Sequence, residues 1–182
     1  MLSLGGLTGL LTTATFESLG GASFDAGTST LTSAFTSVSL SSGAATDLIG
    51  SANASDGIRL ISGASIVDIT GLSYSNATKT LSAVVSINGT QAYSGAFLKA
   101  GTTSVSETFN ATLGTGLLNA DALKLTSAAA TPLLTAFNAT SYIPLVGLFE
   151  IGSLQVDVLS PAVTAVPEPS TYALMGLGLV GI

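Results

Sequence analysis

Leu81-Ser82-Ala83-Val84-Val85-Ser86-Ile87-Asn88-Gly89-Thr90-Gln91-Ala92-Tyr93-Ser94-Gly95-Ala96-Phe97-Leu98 is the stretch that decides the fold. Leu81, Ala83, Val85 and Ile87 fall on one parity, the period of a strand with one face buried. Asn88-Gly89 follows at once. Both central residues of a tight hairpin turn need positive φ, which these two residue types tolerate best. A second strand-like run continues to Leu98. The whole predicts an antiparallel hairpin, 81–87 paired with 90–98.

The same period recurs outward from this hairpin. Val105, Phe109, Ala111 and Leu113 share one parity over 105–113, and Ser106, Thr108, Asn110 and Thr112 share the other, with Glu107 the polar interruption on the apolar side. Further strands are expected at 31–40, 58–61, 65–70, 122–125 and 154–159. One helix is expected over 127–138, capped by Thr126, with Ala129, Leu133, Ala136 and Phe137 on one side. Pro132 either sits inside this helix and kinks it, or marks a later start behind Thr131. Gly5-Gly6 and Gly114-Thr115-Gly116 lack the lysine of a phosphate loop and read as turns. Short strands between turn signals predict an all-β fold, an antiparallel β-sandwich of jelly-roll or Ig-like type with one short helix. No long repeat is visible, which argues against a solenoid.

Charged residues make up 8% of the chain, while hydrophobic residues make up 47%. Hydrophobicity at that level argues against disorder across the body. Serine and threonine supply 49 of 182 residues, so the polar surface must be built from hydroxyls. The net charge is −6 and the only basic residues are Arg59, Lys79, Lys99 and Lys124, too few to neutralise a run of phosphates. Nucleic acid is therefore excluded as a partner. The absence of cysteine removes disulfides, thiolate chemistry and iron–sulfur sites.

The last segment reads differently. Val166-Pro167-Glu168-Pro169-Ser170-Thr171 leads into Tyr172-Ala173-Leu174-Met175-Gly176-Leu177-Gly178-Leu179-Val180-Gly181-Ile182. Two prolines flanking a glutamate can continue neither a helix nor a central strand, so the box reads as an extended linker. The run after it is apolar or glycine throughout and shorter than the roughly 20 residues that span a bilayer. Box and run together resemble the PEP-CTERM sorting signal of exosortase substrates. In that family a Val-Pro-Glu-Pro-Ser-Thr box precedes a short transmembrane helix and a final arginine cluster. The resemblance implies that the helix and the cluster continue beyond Ile182, so the signal is expected to be truncated here. It also implies transient anchoring in the inner membrane with the basic end cytoplasmic. An exosortase would then cut near the box, and the protein would pass to the outer surface or the extracellular space.

Four segments are expected. Residues 1–22 are uncertain, because 2–11 reads equally as the apolar core of a signal peptide without its basic flank or as the first strand of the body. Residues 23–159 form the ectodomain, 160–171 the Pro-rich linker with the box, and 172–182 the truncated sorting helix.

Five of the six asparagines stand in Asn-x-Ser/Thr: Asn53, Asn76, Asn88, Asn110 and Asn138. They are candidate glycan acceptors on exposed loops. A plainer reading is that asparagine and threonine both favour turns and strand faces. No histidine exists, so imidazole catalysis and His-ligated zinc are absent. Nothing in the spacing of Asp47, Asp56, Asp68 and Glu107 singles out a catalytic carboxylate pair. A loop calcium site at Asp56 or Asp68 is a minor alternative. No catalytic residue and no cofactor is expected. The function expected is non-catalytic, adhesive or structural, in the extracellular polymer layer, with exopolysaccharide as a candidate partner. The rivals are a module for carbohydrate or a small ligand, a filament subunit donating 2–11 to a neighbour's sheet, and a hydrolase using carboxylates alone.

Overall fold

The computed structural model describes residues 1–39, 49–101, 105–110 and 115–158. In chain order the elements are β1 (Leu2–Ser3), α1 (Gly5–Leu10), β2 (Thr15–Leu19), β3 (Ser23–Asp25), β4 (Thr30–Thr32), β5 (Phe35–Ser39), β6 (Ile49–Ala52), β7 (Gly57–Ser62), β8 (Ser65–Ser75), β9 (Thr80–Ile87), β10 (Thr90–Lys99), β11 (Val105–Asn110), β12 (Thr115–Leu125), α2 (Ser127–Ala136), a 3-10 turn (Thr140–Leu145) and β13 (Gly152–Val158). The fold is all-β and antiparallel with short helices, and its strands form one sheet curled into a nearly closed barrel. The two layers expected of a sandwich are thus two halves of a continuous sheet.

The hairpin at the centre stands as expected. Ile87 pairs with Thr90, and Asn88 and Gly89 take φ of 51° and 81°. From β9 the sheet runs one way through β8 and β7 to β2, and the other way through β10, β12, β13, β1 and β4 to β3.

Curling depends on two long strands that change neighbours part-way. The first part of β8 pairs with β7 through Thr70, and its last residues pair with β6. Between them Gly71 sits at φ 61°, and the register against β9 shifts there. In β12 the first part pairs with β11 and the end pairs with β10 at Lys124 and Leu125. Between those parts Ala122 sits at φ 52°, and the register against β13 shifts. An extra residue in the left-handed region bends a strand and tightens its twist. The sequence reading ended the first strand at 70 and began the second at 122, the two kinks. It also took Gly114-Thr115-Gly116 for a turn, whereas Thr115 and Gly116 are paired strand residues. The expected strand 31–40 is split into β4 and β5 at Ser33 and Ala34, because the Ser33 hydroxyl turns in to donate to Asp56 at 3.0 Å. Residues 111–113 of the expected 105–113 strand lie outside the described residues, as does residue 40.

The terminal strands β2 and β3 meet through side chains. Phe16 stacks on Phe24 at 5.7 Å between ring centroids. Asp56, 3% exposed, sits just before β7 and accepts from the Gly21 amide of the β2–β3 turn at 2.8 Å, as well as from Ser33. One carboxylate therefore ties the β2–β3 turn and the β4–β5 connection to the start of β7.

Segment 2–11 is built into the body as a two-residue strand and a helix rather than one strand. Leu2 pairs with both Leu154 and Leu31 of its own chain, so its strand edges are already used and are not free for a neighbour. Leu4, Leu7 and Leu11 are buried with it. Gly6 and Gly152 let the backbones touch: a Cβ on Gly152 would lie 1.8 Å from the Ser3 carbonyl oxygen, and one on Gly6 2.0 Å from that of Glu150.

Helix α2 lies against β8, β9 and β10 with Leu133 and Leu134 buried. The Thr126 hydroxyl caps it by accepting from the Ala129 amide, and Pro132 sits inside it. The helix ends at Ala136, short of the expected 138, because Asn138 takes φ of 55° and the Ala139 amide reaches back to the Leu134 carbonyl at 2.8 Å, a left-handed stop.

Two predictions follow from closure and curling. Removing the buried acceptor with Asp56→Ala is expected to cost about 2–3 kcal/mol, read from urea midpoints. An unchanged midpoint would mean that the carboxylate does not hold the ends together. Gly71→Ala should lose about 1 kcal/mol, whereas Ala122→Gly should gain up to about 1 kcal/mol, because only glycine enters the left-handed region without strain. A loss at both positions would contradict the kinks.

Candidate functional site

An apolar cleft opens between the two halves of the sheet. Its volume is about 620 Å3. One wall is Leu2, Leu31, Leu154 and Val156, from β1, β4 and β13; the other is Ala52, Leu72 and Leu81, from β6, β8 and β9. Among the described residues Phe35 is the one aromatic on it, and Thr32, Ser33, Gln155 and Asp157 supply polar atoms. Its size lies in the range of small-molecule pockets, and its chemistry suits an apolar ligand better than a sugar, which needs aromatic platforms and converging polar groups. Strand alternation marked Leu81 among these side chains as one of the buried face. Which of them meet across a gap depends on the curl of the sheet, and no local pattern carries that.

The acids do not converge. Asp56 is occupied by Gly21 and Ser33. Asp68 on β8 accepts from Arg59, which faces it on β7, Nε at 2.7 Å and Nη2 at 2.8 Å. These hydrogen bonds, and then the carboxylate charge, raise the guanidinium pKa further above its ordinary value. Glu17 faces Arg59 from β2, so a line of alternating charge crosses three strands. Pairs of this kind at a surface add little stability, and like alternation elsewhere this one favours the observed register. Among the described residues no cluster of acids could hold a metal ion, and both carboxylates considered for calcium face hydrogen-bond donors instead. Asp47 lies outside the described residues, and of Glu107 only the backbone is described.

The sequon asparagines sort by geometry. Asn53 and Asn138 are exposed, Asn53 with its carbonyl accepting from the Asp56 amide and Asn138 at the helix stop. Asn88 is exposed at the hairpin turn, where its side-chain oxygen accepts from the Ile66 amide at 2.9 Å. Asn76 is 5% exposed, with Tyr74 donating to its side-chain oxygen at 3.5 Å, so a glycan has no room there once the chain has folded. Asn110 ends β11, and its side chain is outside the description. All five stand at turns or at the end of an element, and Asn88 and Asn138 take positive φ there, as asparagine favours.

Val166, Pro167, Glu168, Pro169, Ser170 and Thr171 lie outside the described residues, and among those described no helix is long and apolar enough to cross a membrane. Comparison with known proteins bears on this end of the chain. No curated protein and no solved structure matches the chain. A family model of the PEP-CTERM protein-sorting motif matches residues 165–182. The motif implies export, a transient membrane-anchored state and sorting by an exosortase. Residues 165–182 are thus a PEP-CTERM protein-sorting motif that follows the curled β-sheet body in the chain.

Proposed function

We propose that the body of this exported protein is a non-catalytic structural or adhesive element of the extracellular polymer layer. The observation that supports the reading is the sorting motif over residues 165–182, which implies export and a transient membrane-anchored state. The surface chemistry supports it. Thr15, Ser18, Ser23, Thr32, Thr90, Ser94, Ser106 and Thr108 are exposed strand residues, so hydroxyls cover much of the sheet. Hydroxyl-rich faces exchange hydrogen bonds readily with hydrated polysaccharide and carry little charge to repel it. If glycans are added, Asn53, Asn88 and Asn138 are the accessible acceptors.

The apolar cleft favours a second reading, a carrier or sensor of a small apolar ligand. It rests on the lining of Leu31, Leu72, Leu81, Leu154 and Val156 around a volume of about 620 Å3.

Intact-mass measurement in the native cell tests the first reading. With the exosortase present, the mature protein is expected to end near Pro167-Glu168-Pro169 and to leave the inner membrane. With the exosortase gene deleted, the tail stays on and the protein stays in the membrane fraction. Identical masses in both strains would remove exosortase sorting. For the second reading, an apolar fluorescent dye should bind the folded protein saturably, and Ala52→Phe should abolish binding without lowering the unfolding midpoint. Undiminished dye binding by that variant would show that the cleft is not the site.

A further inference from the structure

The segment between α2 and β13 carries an exposed apolar surface that neither the barrel nor its hydroxyl-rich face explains. Tyr142, Leu145, Leu148 and Phe149 are 41%, 41%, 74% and 40% exposed. They account for most of the large apolar side chains exposed among the described residues. Isolated exposed apolar side chains are ordinary, but a contiguous group is an interaction surface. This group is held in place: Val146 and Ile151 are buried at 2% and 1%, the Leu148 amide bonds the Leu145 carbonyl at 2.8 Å, and the Ile151 amide bonds the Leu123 carbonyl at 2.6 Å. Tyr142 and Phe149 meet edge to face at 6.3 Å. The barrel therefore presents these side chains on a fixed support.

Charge is distributed around this surface in a telling way. From Leu125 to Phe149 there is no charged residue. At the foot of the loop, Lys99 and Lys124 face each other directly across β10 and β12. Both line a shallow hollow together with Glu150, the residue that follows Phe149. Two of the four basic residues of an acidic chain are thus set side by side next to its exposed apolar loop. Like charges directly opposite on neighbouring strands repel, and an anionic surface relieves that repulsion. Aromatic and aliphatic side chains flanked by lysines are the composition of a segment that sits in the headgroup region of a bilayer.

We propose that the loop over residues 142–149, with Lys99 and Lys124, docks the barrel onto the surface of an anionic phospholipid bilayer while the tail anchors the chain. This rests on the export and anchoring that the sorting motif implies. Chain length permits it. Strand β13 separates the loop at its start from the tail at its end by about 20 Å, and the chain from Val158 to Tyr172 can span at most about 50 Å. Tethering turns a weak surface contact into an intramolecular one at high effective concentration. Docking in this way orients the barrel before the exosortase acts and ends once the anchor is cut.

The chain contains no tryptophan, which supplies a clean test. Full chains carrying Leu148→Trp, or Gln91→Trp at the exposed far end of β10, are added to vesicles of phosphatidylglycerol and phosphatidylcholine with brominated acyl chains. The tail is common to both variants, so the comparison isolates the loop. The L148W emission should shift to the blue and be quenched several-fold, and the Q91W emission should do neither. Adding Lys99→Gln and Lys124→Gln should reduce L148W quenching on the phosphatidylglycerol vesicles and leave it unchanged on pure phosphatidylcholine. Equal quenching of the two reporters, or none in either, would overturn the proposal. A blue shift of L148W with protein concentration alone would also overturn it, by assigning the loop to a second copy of the chain. Failure of exosortase sorting would instead appear as an uncut mass in cells, so the two outcomes are separable.

Discussion

Everything in this structure depends on closing a curled sheet whose terminal strands share no backbone ladder. Strands β2 and β3 end the hydrogen-bonded path on opposite sides. The short turn 20–22 joins them, the Phe16–Phe24 stack packs one on the other, and the buried carboxylate of Asp56 accepts from that turn and so fixes it to the start of β7. A buried carboxylate is costly unless its oxygens are satisfied, and here the donors come from Gly21 and Ser33, two segments that must both be in place. The interaction thus works as a check on assembly: the acid is solvated comfortably only when the ends have met. Curling itself comes from the left-handed residues Gly71 and Ala122, which let β8 and β12 each serve two successive neighbours. Without them the same strands would make a flatter sheet with one face left in water.

Much of this was legible in the chain because the physics was local. The hairpin at Asn88-Gly89 is written in a turn chemistry that almost no other residue pair satisfies. The Thr126 cap of α2 is equally local, and so are the central strands with period-two burial. Two of the misreadings share a cause. At Gly71 and Ala122 a single residue leaves the strand conformation, and a pattern read along the chain stops there although the strand continues. The short strands β2, β3 and β6 hold too few residues to show a period and owe their conformation to pairing partners distant in sequence. For segment 2–11 the residues alone left two readings open, since an apolar, glycine-rich stretch suits a signal peptide as well as a strand. Packing shows why glycine stands at 6 and at 152: two backbones touch there.

The candidate sites divide along the same line. The sorting motif was legible because it is an address read as a linear string, and the family match falls on the residues that carry it. The cleft and the exposed loop were not, since each is assembled from residues brought together by the curl or set apart by what the barrel leaves uncovered. The sequons were legible as a pattern, but the structure ties most of them to turn geometry. Body and address are accordingly distinct in physical character: a hydroxyl-clad barrel with few charges, followed by a proline-rich linker and an apolar run.

Native-state amide hydrogen exchange on the full chain tests the closed barrel most directly. The amides of Leu4, Gly6 and Gly21 donate to Ser29, Ile151 and Asp56, the contacts that bring the N-terminal segment and the β2–β3 turn into the body. If the barrel is one cooperative unit, these amides are protected to the same opening free energy as those of Val84 and Val85 in the central hairpin. Exchange of Leu4, Gly6 and Gly21 at the rate of unprotected amides, with the hairpin still protected, would show an open sheet and contradict the closure on which the structure is built.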